Sequence, residues 1–110
     1  MAEIKKINSL EEYDEFVNEP GTLNLLKAGA QWCGPCRTLE QTIRELTADD
    51  VEGVLLEEID ADDEWVEGKL AELKIRGIPV IIAFKDGVEK DRVQGAIPKN
   101  DLIEFIRRNS

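Results

Sequence analysis

The 110-residue chain contains no histidine. That absence excludes Ser-His-Asp and Cys-His catalysis, histidine-ligated metals and a histidine pH switch. Positive charge is also scarce: 14 Lys and Arg stand against 24 Asp and Glu, a net charge of −10. Phosphate binding needs clustered cations, so no nucleic-acid partner is expected, and the same repulsion disfavours an anionic membrane surface. The longest apolar run, Ile78 to Phe84, has seven residues, far too few to span a bilayer. Met1-Ala2-Glu3-Ile4-Lys5-Lys6 carries no apolar signal-peptide core, so a cytoplasmic location is expected unless a precursor segment has been removed. Repeats, low-complexity tracts and Gly/Ser linkers are lacking too. Residues 1–110 are therefore read as a single domain, and 42% apolar residues suffice for one core.

What is present is a regular alternation of strand and helix signals. Residues 3–7 read as a short edge strand. Ser9 with Glu12 forms a capping box for a helix running to about Val17, stopped by Pro20-Gly21. Leu23 to Ala28 is an apolar strand interrupted by Lys27. Leu39, Ile43 and Leu46 recur at helical spacing, giving a helix from about Pro35 to Thr47. Val54 to Ala61 reads as a second central strand. Asp62 or Asp63 is placed to cap a helix bearing Val66, Leu70 and Leu73, with Trp65 as one of its partly exposed residues. Val80–Phe84 and Val88–Val93 flank Asp86-Gly87, a hairpin signal. Pro98 suits the first position of a last helix with Leu102, Ile103 and Ile106 inward. The order is β-α-β-α-β-α-β-β-α, an α/β chain with helices over both faces of one mixed sheet.

The chemistry lies in Trp32-Cys33-Gly34-Pro35-Cys36, which holds both cysteines of the chain. A bridge this short removes little chain entropy and is a poor stabiliser. The segment joins a strand to a helix, so Cys33 meets the unpaired N–H groups and positive dipole end that stabilise a thiolate. Cys33 is the expected nucleophile. Cys36, one turn on, is placed to resolve the mixed disulfide. Pro35 gives up an N–H that the first turn does not need, and Gly34 leaves the sulfur open to a bulky substrate. A zinc site lacks further ligands, and covalent haem lacks the histidine that would follow Cys36, where Arg37 stands. Those readings and a purely structural pair are the alternatives to redox exchange. No metal and no cofactor beyond a redox-active Cys33-Cys36 disulfide is expected.

Trp32-Cys33-Gly34-Pro35-Cys36 together with Ile75-Arg76-Gly77-Ile78-Pro79 resembles the thioredoxin family, over essentially the whole chain. The resemblance implies a thioredoxin-like three-layer α/β/α fold, with about five strands and about four helices. It implies a dithiol/disulfide oxidoreductase that reduces client protein disulfides and is recycled by a thioredoxin reductase; a monomer is expected. It also implies a cis bond before Pro79, Ile78 backbone groups offered to an extended substrate, and a docking surface of Trp32, Gly34, Pro35, Ile78, Pro79, Gly95 and Ala96. Gly-Pro between the cysteines favours a reductant. A fold retained as an assembly subunit, or a more oxidising oxidase or isomerase, are the alternatives.

Two positions depart from the family. Five residues before the tryptophan, where the family has a buried aspartate implied as general base for the second cysteine, stands Lys27. Glu58 aligns with the neighbouring strand, giving a reversed pair. The rival reading has Lys27 snorkelling to solvent. Gly29 stands where the family usually has tryptophan or another large residue, which is expected to loosen packing and widen the groove. The acidic clusters Asp49-Asp50 and Asp60–Glu64 are read as solvated caps and loops.

Overall fold

A computed structural model describes residues 2–110. Its elements are β1 (Lys5–Lys6), α1 (Leu10–Val17), β2 (Leu23–Gly29), α2 (Gly34–Arg44), β3 (Val54–Asp60), α3 (Val66–Glu72), β4 (Val80–Lys85), β5 (Val88–Gln94) and α4 (Lys99–Asn109). The five strands form one sheet in the order β1-β3-β2-β4-β5. β2 runs parallel to β3 and antiparallel to β4, so the sheet is mixed, as expected from two crossovers followed by a hairpin.

Side chains alternate across a strand, so each strand serves two cores. On β2, Leu23 and Leu25 pack with Leu39 and Ile43 of α2 and with Leu102, Phe105 and Ile106 of α4. Leu26 and Ala28 point the other way, against Tyr13, Phe16 and Val17 of α1 and Val66 of α3. The result is three layers with β2 buried at every position. Lys27 falls on the Leu23–Leu25 face, beneath α2. At the hairpin, Asp86 and Gly87 both take positive φ, 52° and 79°, the conformation of a tight two-residue turn.

Several boundaries differ from the sequence reading for definable reasons. β1 shrinks to the two residues that find partners on β3. α1 starts as expected: Ser9 Oγ accepts the Glu12 N–H, and Glu12 Oε1 accepts the Asn8 N–H at 2.7 Å. α2 ends at Arg44 rather than near Thr47, because Thr47 and Asp50 bond each other's backbone N–H groups reciprocally and turn the chain away. Neither Asp62 nor Asp63 caps α3. Asp62 accepts the Trp32 indole N–H and Asp63 pairs with Lys6 at 3.1 Å, so Trp65 occupies the cap position with no side-chain cap bond. Trp65 thus precedes the helix rather than belonging to it, and it packs against the α1–α3 core. Pro98 is the cap of α4, one residue earlier than expected.

Candidate active site

Parallel pairing of β2 with β3 runs in register to Gly29 opposite Asp60. Both strands therefore end at the same edge of the sheet, and the Ala61 N–H donates to the Gly29 carbonyl at 2.8 Å. Carboxyl ends of strands beside a switch in strand order are where α/β sheets place their sites. The chain leaves β2 through a turn closed by the Cys33 N–H on the Ala30 carbonyl. Cys33 then becomes the N-cap of α2, with extended φ and ψ of −87° and 111°. Its Sγ accepts the Cys36 N–H at 3.2 Å. A sulfur here does the work of a capping oxygen, satisfying one of the orphan donors of the first turn.

Cys33 and Cys36 are joined as a disulfide, with Cα atoms 5.2 Å apart. Both residues are buried, and Ala30, Ala61 and Ile78 pack around them. Trp32 is 67% exposed, its indole N–H held by Asp62 Oδ1 at 3.2 Å. The Ile78–Pro79 bond is cis. The Pro79 carbonyl accepts the Gly95 N–H at 2.9 Å, which ties the end of β5 to this corner. Gly95 has φ +94°, a conformation that side chains disfavour. Of the residues expected to dock substrate, Trp32, Gly34, Pro35 and Ala96 are exposed, Ile78 and Gly95 half-buried, and Pro79 buried.

Lys27 is 6% exposed, and its Nζ lies 3.3 Å from Glu58 Oε1. The two residues are register partners on β2 and β3. The side chain does not extend to open solvent; it ends on a carboxylate beneath α2. A buried cation without such a partner would cost several kcal/mol. Beside the pair, a Cβ built on Gly29 would lie 3.2 Å from Cys36 Sγ and 3.6 Å from Lys27 Nζ. Cys36 Sγ and Lys27 Nζ thus crowd the side on which a Cβ would stand. Beside them lies a cleft of about 470 Å³ walled by Lys6, Lys27, Gly29, Cys36, Arg37 and Glu58 among others. At its mouth Lys6 is held above its ordinary pKa, chiefly by the hydrogen bond to Asp63.

Asp62 and Ala61 were absent from the sequence reading of the site. The acidic run around Asp62 carries no spacing signal linking it to Trp32, 30 residues away; only the β2–β3 pairing brings the two loops together. Among the described residues no cluster of three or more His, Cys, Asp or Glu could hold a metal, and no helix is long and apolar enough to cross a membrane.

Comparison with known proteins covers the whole of this architecture. The family model for thioredoxin matches residues 4–108. The thioredoxin of Chlamydia caviae is 35% identical over 105 residues, 96% of this chain and 98% of its own length. That of Staphylococcus saprophyticus is 33% identical over 87 residues, 79% of this chain and 82% of its own. The X-ray structure of Fasciola hepatica thioredoxin superposes with a TM-score of 0.84 at 30% identity, covering 97% of this chain and 100% of the other. With the cysteine pair closed at the head of α2, these likenesses lead to one conclusion: the chain belongs to the thioredoxin family and is a thiol–disulfide oxidoreductase of the protein-disulfide-reductase class.

Proposed function

We propose that Cys33 is the attacking and Cys36 the resolving cysteine, that the clients are disulfide-containing proteins, and that a thioredoxin reductase returns the electrons. In this reading the chain works as a monomer in the cytoplasm. The Cys33 thiolate attacks one sulfur of a client disulfide, and the client's other sulfur leaves as thiolate. Cys36 then attacks Cys33 Sγ of the mixed disulfide. The second client sulfur departs, and the Cys33–Cys36 disulfide forms. Trp32, Ile78, Pro79, Gly95 and Ala96 serve as the docking surface, with Gly34 and Pro35 keeping the approach open; Lys27 and Glu58 support the pair from below.

The observation that carries the assignment of roles is the hydrogen bond from the Cys36 N–H to Cys33 Sγ at the head of α2. It gives Cys33 the anion stabilisation of a helix N-terminus, whereas Cys36 lies one turn inside. Iodoacetamide at neutral pH should therefore modify Cys33 of the reduced protein about tenfold faster than Cys36. Equal rates, or faster reaction at Cys36, would reverse the roles. Cys33→Ser should abolish reduction of insulin disulfides, while Cys36→Ser should accumulate a client mixed disulfide on Cys33. Insulin reduction surviving Cys33→Ser would instead point to an assembly role for the fold.

A further inference from the structure

The cleft beside Gly29 reaches the disulfide from a side that the docking surface does not use. Cys36 forms part of its wall, whereas Cys33, Trp32 and Ile78 do not. Gly29 is not among the residues with positive φ, so nothing in its backbone requires glycine. What the glycine allows is the close approach of Cys36 Sγ to the β2 backbone, since a Cβ there would stand only 3.2 Å from it. The volume, about 470 Å³, suits a small molecule and excludes a folded protein. Its wall carries both signs of charge, with Lys6, Lys27 and Arg37 on one side of the balance and Glu40, Glu58 and Asp60 on the other. A ligand with its own ammonium and carboxylate matches such a wall better than a plain anion, which the net charge of −10 would repel.

We propose that this cleft admits a zwitterionic low-molecular-weight thiol, of the cysteine type, which reduces the disulfide by attacking Cys36 rather than Cys33. The proposal rests on the reading of Cys33–Cys36 as the redox pair. The incoming thiolate forms a bond to Cys36 Sγ, the Cys33–Cys36 bond breaks, and Cys33 leaves as a thiolate. A second thiolate attacks the sulfur of the bound thiol. The small-molecule disulfide departs, and Cys36 takes a proton from solvent. Two small thiols are oxidised for each protein disulfide reduced. The leaving group favours this direction: Cys33 Sγ already accepts the Cys36 N–H, and a better-stabilised thiolate leaves faster. Lys27, held in place by Glu58, lines the path as a cation facing the incoming anion.

The test uses the oxidised protein and L-cysteine under anaerobic conditions, quenched in acid within milliseconds. Fragment mass spectrometry then assigns the adduct. The expected intermediate carries the cysteinyl group on Cys36 and a free thiol at Cys33; the adduct on Cys33 with Cys36 free would overturn the proposal. In parallel, Gly29→Leu should crowd Cys36 Sγ on the side of the cleft and slow reduction by L-cysteine by at least about tenfold. Alkylation of Cys33 by iodoacetamide in the chemically reduced variant should keep the parent rate, because Cys33 is approached from elsewhere. An unchanged rate with L-cysteine would also overturn the proposal. Should Gly29→Leu fail to fold, the adduct assignment on the parent protein decides alone. Insulin reduction by the parent protein tests the redox pair itself, so an active parent with its adduct on Cys33 rejects the cleft route only.

Discussion

Lys27 is a single buried charge close to the sulfurs. Its ammonium is buried and compensated by Glu58 at 3.3 Å, and it lies against Gly29 alongside Cys36 Sγ. A positive charge at that place is expected to stabilise the Cys36 thiolate, hence the dithiol form, which predicts a higher reduction potential. Lys27→Met keeps the length of the side chain, removes the charge and leaves Glu58 uncompensated. Both changes disfavour the thiolate. Equilibration with glutathione should show the variant shifted to a more negative potential, on the order of 30 mV for each 1.4 kcal/mol lost. No shift, or a shift to less negative values, would mean that the sulfurs do not sense the charge. At this scale the sequence already flagged Lys27 and Glu58 as a candidate pair. It could not tell pairing from snorkelling, because a lysine stem reaches several partners and only the packing of α2 over β2 closes the other routes.

The secondary-structure elements depend on side chains at their ends as much as on their apolar faces. Cys33 caps α2 with sulfur, and Ser9 caps α1 with oxygen. α4 is held to β5 by Asp91, whose carboxylate accepts from Asn109 Nδ2 at 2.9 Å and Arg108 Nε at 3.0 Å. Those bonds, the Asn109 bond foremost, hold the Asp91 carboxyl below its usual value of 3.8. A carboxyl depressed in the folded state contributes stability that is complete above its unfolded value and fades as the pH falls through the folded one. Asp91→Asn should therefore cost about 1 kcal/mol near neutral pH. The gap between parent and variant in urea unfolding should close between about pH 5 and pH 2. A gap independent of pH would show that the charge contributes nothing. The failed expectation at α3 belongs to this scale as well: Asp62 and Asp63 are good capping residues by type, but each has a stronger partner from another element, Trp32 and Lys6.

Across the whole molecule, the net charge of −10 gathers in part around the active-site edge, where Asp60 ends β3 and Asp62 and Asp63 follow it. A negative field at the site attracts basic disulfide clients and slows acidic ones. Raising the ionic strength from about 10 mM to about 0.5 M shortens the screening length from roughly 30 Å to under 5 Å. kcat/KM for a basic disulfide peptide should fall severalfold over that range, and that for an acidic peptide should rise. Parallel salt responses for both would remove electrostatic steering from the account. The amino-acid pattern alone determined the order of elements, the two-sided strands and the chemistry of Cys33-Gly34-Pro35-Cys36, because periodicity, turn residues and helix-end preferences are local and act through neighbours in the chain. What only the tertiary structure decided is which distant residues meet. The β2–β3 register set Lys27 against Glu58 and brought Asp62 to Trp32, Pro79 received Gly95 from the end of β5, and Gly29 came against Cys36 Sγ at the wall of a cleft. Those contacts join residues far apart in the chain, and no local pattern encodes the space between elements that pack across a sheet.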